Sequence, residues 1–282
     1  MRAASPLLEL PETRPSVISS HAHLWSLCSG SESTASTVSA FKPSQAPNNL
    51  LTTLIVDWEH PENRSQGEDY IQLLAALRQY LPGPQYILSS ALPAGEWALQ
   101  HINLHQASYY LDMINLMAYD YSGPWVNKCG HQAQLFTPNS PHSPEAAISC
   151  HSAVSYMLRQ GVPANKIIMG VPAYGRSFTG TRGIGHSFSG QAGEEGTFEY
   201  RDLPRPGSKE HVDEHVGAAY CMGGDGGFVT YDNPHTVRMK ANYVRQNGLG
   251  GLFYWTGTGD ASSIDNKDRS LVWNGFLGLF PQ

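Results

Sequence analysis

Two carboxyl side chains separated by one residue, Asp57 and Glu59, are the first candidates for chemistry in this sequence. They follow an apolar, β-branched run from Leu50 to Val56, which is typical of a buried parallel strand. Because side chains alternate along a strand, Ile55, Asp57 and Glu59 share one face. Two carboxyl groups placed side by side can act as a general acid with a raised pKa beside an ionised partner. Taken alone, the same spacing is more typical of two acids in a loop or a helix cap.

Polar and aromatic residues also follow three later apolar runs. They are Tyr119, Asp120, Tyr174, Arg176 and Trp255. In parallel α/β folds, functional groups gather at the C-terminal ends of the strands. Acids, phenols, one guanidinium and one indole ring suit a neutral sugar, whereas no Gly-rich phosphate loop follows any of the predicted strands. The strand ends therefore indicate a carbohydrate cleft rather than a phosphate or nucleotide site.

Alternating strand and helix patterns are expected to position these residues. Short apolar runs predict five strands, at 50–56, 86–92, 113–119, 166–171 and 251–255. Helical spacing of apolar residues, together with capping residues, predicts helices at 70–81, 144–161 and 234–248. The alternation implies a parallel sheet with right-handed connections. The long Gly-rich stretch before the last strand predicts a small inserted subdomain at about 179–230.

The composition limits the class of protein. Apolar residues make up 40% of the chain, and together with 28 glycines they indicate a folded protein. A net charge of −6 without a Lys/Arg cluster argues against a nucleic acid or an anionic membrane surface as partner. The four cysteines lack the spacing of a zinc site. Residues 1–50 are rich in Ser, Thr and Pro without strand or helix period, so we predict an irregular head before a folded region at 51–282.

Four segments of the folded region carry a family resemblance. They are Val56–Pro61, Asn115–Trp125, Gly170–Phe178 and Gly248–Trp255. They resemble the motifs of family 18 glycoside hydrolases, in particular fungal chitinases, and the resemblance extends over about residues 51–275. It implies an α/β fold of the (β/α)8 TIM-barrel type, with a small α+β insertion after the seventh strand that matches the Gly-rich stretch. It also implies an extracellular monomer that acts on chitin or chitooligosaccharides and needs no cofactor and no metal.

The resemblance assigns a role to each candidate residue. The implied reaction is hydrolysis of β-1,4-linked N-acetylglucosamine with retention, assisted by the acetamido group of the substrate. Glu59 matches the acid that protonates the glycosidic oxygen, Asp57 the residue that orients the acetamido group, and Tyr119 the phenol that hydrogen-bonds its carbonyl. Substrate-binding positions are matched by Asp120, Met117, Tyr174, Arg176, Trp255 and Trp125. Met117 is explained equally well as a residue of the barrel core.

The sequence departs from the family at its four-acid signature, D-x-x-D-x-D-x-E. Thr52 and Ile55 occupy the first two acid positions. In the family, the acid at the position of Ile55 shares a proton with the acid above it, which couples their titrations. An isoleucine offers Asp57 only desolvation, which favours the neutral carboxyl. We therefore predict strongly reduced activity relative to a complete family member.

A second departure concerns the chain before Leu50. The segment that ends in Glu59 resembles the fourth strand of the family, so three βα units of roughly 25–30 residues each are expected to precede it. Residues 1–50 are too few, so we expect a truncated or mis-assembled barrel of strands 4–8. Three interpretations remain open: an impaired chitinase-type hydrolase, a non-enzymatic carbohydrate-binding protein on the same scaffold, and a non-functional fragment. An endo-N-acetylglucosaminidase fits the Tyr119-Asp120 and Trp255 segments less well.

Overall fold

Eleven strands and six α-helices make up the part of the chain that the computed structural model describes, residues 36–41 and 52–281. The strands are β1 (Ser36–Phe41), β2 (Thr52–Trp58), β3 (Tyr86–Pro93), β4 (Met113–Met117), β5 (Ile167–Pro172), β6 (Tyr174–Phe178), β7 (Thr197–Glu199), β8 (Ser208–Asp213), β9 (Ala218–Gly223), β10 (Phe228–Tyr231) and β11 (Gly251–Trp255). The helices are α1 (Arg64–Tyr80), α2 (Glu96–Leu99), α3 (Leu104–Tyr110), α4 (Cys150–Arg159), α5 (Pro234–Gln246) and α6 (Leu271–Leu279). None of these helices has the length and apolar character that crossing a membrane requires.

The strands form two sheets. The first has the order β1-β2-β3-β4-β5-β11, and β2, β3, β4, β5 and β11 run parallel in it. These are the five predicted strands, with ends that differ from the prediction by at most two residues. The second sheet is antiparallel, in the order β7-β6-β10-β9-β8, and includes the Gly-rich stretch predicted as an insertion. It begins with β6, directly after β5, which is earlier than the expected residue 179.

The first strand differs from the prediction of an irregular head up to residue 50. Residues 36–41 form β1, which pairs antiparallel with β2 from Ser36 opposite Trp58 to Phe41 opposite Thr53. The residue pattern of β1 is too short to be recognised by period, and its pairing supplies hydrogen-bond partners along the edge of β2. The remainder of the predicted head, residues 1–35 and 42–51, lies outside the described residues.

The helix predicted at 144–161 begins later than expected. A 3₁₀ turn occupies Glu145–Ala147, and α4 begins only at Cys150. The side chain of Ser149 accepts a hydrogen bond from the backbone N–H of Ser152 at 3.0 Å, and the Ser152 hydroxyl accepts one from the N–H of Ser149 at 2.9 Å. This reciprocal cap satisfies two donors of the first turn, so it fixes the start of the helix more strongly than the Ser-Pro sequence upstream.

Helix α1 holds β2 and β3 from one side. Its first turn is capped by Asn63, whose side chain accepts from the backbone N–H of Gln66 at 3.0 Å. Tyr70 and Leu74 of this helix are fully buried in the same apolar cluster as Val56 of β2. Because this packing holds the C-terminal half of β2 in place, the residues that follow Trp58 leave the sheet in a defined direction.

Candidate active site

The C-terminal ends of β2 and β4 bring two carboxyl groups and a phenol to one edge of the parallel sheet. Asp57 is half-buried and Glu59 is exposed, and Tyr119 lies two residues beyond the end of β4. Burial, followed by the charges of Asp120, Glu59 and Asp57, raises the pKa of the Tyr119 phenol well above its ordinary value. The phenol is therefore protonated at all physiological pH values and available as a hydrogen-bond donor.

Asp57 sits in an unusual environment for a carboxyl group. Its Oδ1 atom is buried and has no hydrogen-bond partner among the described residues. Burial, together with the charge of Glu59, raises its pKa above 3.8. This direction agrees with the desolvation that the sequence predicts for a carboxyl above Ile55. A buried acceptor without a partner is costly, so the atom is poised to take a hydrogen bond from a ligand.

A glycine of β5 makes room for the ring of Tyr119. A Cβ atom on Gly170 would lie 2.7 Å from Cε1 of Tyr119, and 2.8 Å from both the carbonyl oxygen of Leu116 and Cζ of Phe253. The Tyr119 ring also meets Tyr174 and Phe253 edge-on, each with centroids 6.2 Å apart. Sequence reasoning missed Gly170 and Phe253. A glycine inside a strand marks a close approach by another group, and that signal was available at Gly170.

Asp120 and Arg176 form a two-fold hydrogen-bonded ion pair beside the phenols. Arg176 donates from Nε to Oδ1 of Asp120 at 2.7 Å and from Nη2 to Oδ2 at 2.9 Å. Its guanidinium carbon lies 4.9 Å from the ring centroid of Trp125 and 5.5 Å from that of Tyr174. Asp120 adopts a φ of 60°, a left-handed conformation that is rare outside glycine. Two charge-assisted hydrogen bonds hold it there, as is common at functional sites.

Three exposed indole rings lie at or after the C-terminal ends of parallel strands: Trp255 ends β11, Trp97 lies in α2 after β3, and Trp125 lies in the loop after β4. Trp125 and Trp255 are each 56% exposed, and Trp97, which follows β3, is 58% exposed. The backbone N–H of Ala173 donates to the carbonyl of Trp255 at 2.7 Å, which fixes the end of β11. Trp97 covers Gly95 and meets the ring of His60 edge-on, with centroids 4.8 Å apart. Sequence reasoning missed Trp97, although its position just after an Ala-Gly turn at a strand end was a usable signal.

The predicted residues thus fall into three groups. Asp57, Glu59 and Tyr119 meet at the mouth of the sheet, while Asp120, Tyr174, Arg176 and Trp125 form one contact network. Trp255 and Met117 end their strands at the same edge, and Met117 is half-buried. Throughout the described ranges, no cluster of three or more His, Cys, Asp or Glu residues is arranged to hold a metal ion. The chemistry available is proton transfer and hydrogen bonding beside aromatic surfaces.

A comparison with protein families decides which family the chain belongs to. The sequence profile of "Glycosyl hydrolases family 18" matches residues 30–260. The chain belongs to glycosyl hydrolase family 18. The predicted family is therefore confirmed. The parallel sheet with its helices agrees with the predicted α/β fold, and the TIM-barrel type is supported by the family and by its solved structures.

Named relatives of this family 18 protein show how much of the chain is shared. Chitinase 1 of Aphanocladium album is 34% identical over 240 residues, which is 80% of this chain and 55% of the relative. Endochitinase 1 of Metarhizium robertsii is 34% identical over 223 residues, 75% of this chain and 52% of the relative. Catalytic domain 2 of the Group II chitinase of Ostrinia furnacalis has a TM-score of 0.72 and 26% identity, covering 81% of this chain and 66% of that structure. The chain spans about half the length of these curated relatives.

Proposed function

We propose that this family 18 protein hydrolyses β-1,4-linked N-acetylglucosamine, in chitin or in chitooligosaccharides. Relatives that share most of this chain are named chitinases. One observation carries the proposal: an exposed Glu59, a half-buried Asp57 with an unpartnered oxygen, and the Tyr119 phenol meet at one edge of the sheet. An acid, an acceptor and a donor in this arrangement suit a glycosidic bond next to an acetamido group.

In the proposed reaction, the substrate supplies its own nucleophile. Glu59 gives a proton to the glycosidic oxygen, and the bond from that oxygen to the anomeric carbon breaks. The acetamido oxygen forms a new bond to the anomeric carbon from the opposite face, which yields a positively charged ring and a free alcohol as leaving group. Water, deprotonated by Glu59, then attacks the same carbon and reopens the ring. Two inversions give net retention.

Asp57 and Tyr119 hold the acetamido group during these steps. The unpartnered Oδ1 of Asp57 accepts the acetamido N–H, and the Tyr119 hydroxyl donates to the acetamido oxygen. An ionised Asp57 also stabilises the positive charge that develops on the ring, because a charge in a half-buried site acts at a reduced dielectric. Stabilising this positive charge requires Asp57 to be ionised, whereas the surroundings of Asp57 favour its neutral form.

The absence of an acid beneath Asp57 is the basis for proposing a low rate. Ile55 is half-buried and lies two residues before Asp57, on the same face of β2. Its side chain cannot exchange a proton with Asp57. Burial and the charge of Glu59 raise the pKa of Asp57, so its neutral form persists to a higher pH than in an ordinary aspartate. We propose turnover well below that of relatives with all four acids.

The indole rings and the Arg176 network are the proposed binding surface. Sugar rings present C–H faces that pack on aromatic rings, and Trp125, Trp255 and Trp97 are exposed for such contacts. Arg176 and Asp120 hold each other through two hydrogen bonds, which leaves their remaining N–H and lone-pair sites for sugar hydroxyls. A neutral polymer suits this surface, since the paired charges cancel.

The test is hydrolysis of chitohexaose, followed by chromatography that resolves the two anomers of each product. We expect slow release of shorter oligosaccharides that start as the β-anomer. Glu59→Gln should lower the rate by about 10²–10⁴-fold, the usual contribution of a positioned acid. Cellohexaose, which lacks the acetamido groups, serves as the matched substrate control. Equal rates on both substrates, or initial α-anomers, would remove substrate assistance from the proposal.

A second candidate is a carbohydrate-binding protein without turnover. The substitution of both upstream acids, Thr52 and Ile55, favours it. Calorimetry with chitohexaose separates the candidates: binding without release of reducing ends supports the second one. Neither binding nor hydrolysis, in a protein that unfolds without cooperativity, would indicate a non-functional fragment.

The family, rather than the site, supports our proposals on location and assembly. We propose an extracellular protein that works as a monomer on its polymer. Light scattering of the purified protein measures the assembly, and fractionation of the producing cells measures the location. A stable dimer, or retention inside the cell, would contradict these two points without touching the catalytic proposal.

A further inference from the structure

The connection between β2 and α1 carries an acceptor pattern for a covalent modification. Asn63, Arg64 and Ser65 form the sequence Asn-x-Ser with a middle residue other than proline, which is the acceptor for N-linked glycosylation. The chain has 13 asparagines, and Asn63 is the only one with serine or threonine two residues later. Three residues match such a pattern by chance in many proteins, so the local structure has to decide whether this one can hold a glycan.

The surface around Asn63 has room for a large group. Asn63 and its neighbours Glu62, Arg64 and Ser65 are all exposed. The Arg64 side chain is 93% exposed, although it reaches the Glu68 carboxylate at 3.2 Å. An N-linked glycan is bulky and hydrated, so a folded protein can hold it only at its surface. Four consecutive exposed residues provide such a place.

The oxygen and the nitrogen of the Asn63 amide have separate roles. Oδ1 accepts a hydrogen bond from the backbone N–H of Gln66 at 3.0 Å and so caps α1. Nδ2 takes part in none of the hydrogen bonds among the described residues. A glycan is attached through Nδ2, and the amide oxygen keeps its acceptor lone pairs. The helix cap is therefore compatible with the modification.

Ser65 supplies the hydroxyl that completes the acceptor pattern. It is the second residue of α1, and its side chain points to no partner: its hydroxyl makes no hydrogen bond with any residue that the structure describes. The helix cap itself uses only Asn63 and the backbone of Gln66. The start of α1 thus does not depend on a hydroxyl at position 65, whereas the acceptor pattern does.

The position lies close to the candidate active site. Asn63 follows Glu59 by four residues, which span at most about 14 Å when fully extended. Residues 59–63 are the whole connection from the C-terminal end of β2 to the first residue of α1. A glycan on Asn63 would therefore stand beside the edge of the sheet that carries the carboxyl pair.

We propose that Asn63 is an N-glycosylation site. The inference rests on the proposed extracellular location, because N-linked glycans are attached to chains that enter the secretory pathway. The donor is a lipid-linked oligosaccharide diphosphate. Nδ2 of Asn63 forms a bond to the anomeric carbon of the first sugar, and the bond from that carbon to the phosphate oxygen breaks. The lipid diphosphate leaves, and Nδ2 gives up one proton.

The test is peptide mass spectrometry of the protein purified from the medium of the producing cells, before and after treatment with peptide-N-glycosidase. This enzyme removes the glycan together with the amide nitrogen, so a glycosylated Asn63 is read as an acid after treatment and an unmodified one is not. We expect the peptide that contains Asn63 to carry the glycan. Ser65→Ala should abolish it, and Ser65→Thr, which keeps the hydroxyl, is the matched control and should retain it.

Asn63→Asp separates the glycan from the helix cap. Aspartate caps helices about as well as asparagine and has no amide nitrogen, so this variant should lose the glycan without losing the start of α1. The parent protein after enzymatic removal of its glycan has the same covalent structure as Asn63→Asp. The two should therefore agree in mass and in melting temperature.

The outcomes keep this inference apart from the proposed function. An unmodified Asn63 in protein recovered from the medium would show that the inference is wrong, and hydrolysis of chitohexaose would still test the catalytic proposal. Unmodified protein found only inside the cells would contradict both the location and the glycan. A glycan that persists in Ser65→Ala or Asn63→Asp would lie on another residue and would equally overturn the inference.

Discussion

Replacement of Gly170 by alanine should damage both the stability and the activity of the protein. The new methyl group would lie 2.7 Å from Cε1 of Tyr119 and 2.8 Å from the Leu116 carbonyl oxygen. Carbon atoms pack at about 3.5–4.0 Å, so the Tyr119 ring has to withdraw by roughly 1 Å. The backbone oxygen cannot yield in the same way. Overpacking of this kind costs about 1–3 kcal/mol, and we place Gly170→Ala near 2 kcal/mol because one of its obstacles is backbone.

Displacement of the Tyr119 phenol should affect the rate of catalysis more than the stability of the fold. A misplacement of about 1 Å can cost about 100-fold in rate, so we expect kcat on chitohexaose to fall by that order. Urea titration measures the stability, and a reducing-end assay measures the rate. Gly257→Ala is the matched control, because a Cβ atom there meets no atom within 4 Å and the backbone is not left-handed. If Gly170→Ala matches the control in both assays, Tyr119 is not seated as described.

Three further predictions concern charge. Because burial raises the pKa of Asp57 above 3.8, its ionised form is lost at a higher pH than in an ordinary aspartate. The loss of kcat on acidification should therefore begin closer to neutral pH than the pKa of an ordinary aspartate would give, and Asp57→Asn should abolish this pH dependence. A loss of kcat centred on the ordinary pKa of aspartate would contradict the reasoning. Ile55→Asp should return a proton-sharing partner to Asp57 and raise kcat about tenfold or more, measured on chitohexaose, and an unchanged rate in a folded variant would remove Ile55 as the cause of low activity. Lys240 is fully buried and paired with the buried Asp232, so Lys240→Met should lower the free energy of unfolding by about 3–5 kcal/mol in urea. The double variant with Asp232→Leu should recover part of that loss, and no recovery would mean that the pair is not the source.

The parallel strands could be predicted because their own residues specify them. The run before Asp57 is apolar and β-branched, and period-2 alternation already placed Asp57 and Glu59 on one face. Residues at strand ends inherit their position from the sheet, so Tyr119 and Asp120 could be predicted to follow β4, whereas Arg176 lies inside β6 of the antiparallel sheet. The fold class followed from the order of these elements.

The remaining features depend on contacts between distant parts of the chain. Strand β1 has no recognisable period, and its pairing with β2 defines it. The start of α4 is decided by the reciprocal cap of Ser149 and Ser152 against the competing Ser143-Pro144 signal. Gly170 and Trp97 carry only a weak local signal, a glycine inside a strand and an indole after a strand end, and the contacts they make with the Tyr119 and His60 rings depend on the folded chain. The link between His131 and Asp213 joins two segments about eighty residues apart in sequence, and local pattern does not reveal it.

The hydrogen bonds between Arg176 and Asp120 also have a consequence for how the two sheets are held together. Asp120 follows a strand of the parallel sheet and Arg176 belongs to the antiparallel sheet, so this ion pair links the two sheets. A second link is made by Gln132, whose Nε2 donates a hydrogen bond to the Tyr174 carbonyl at 2.8 Å. Moving the two sheets apart would break several hydrogen bonds at once, and the partly buried guanidinium of Arg176 would lose the carboxylate that balances its charge. Under the proposed function, a sugar polymer would therefore have to adapt its own conformation to two sheets that are held together, without relying on a closing hinge.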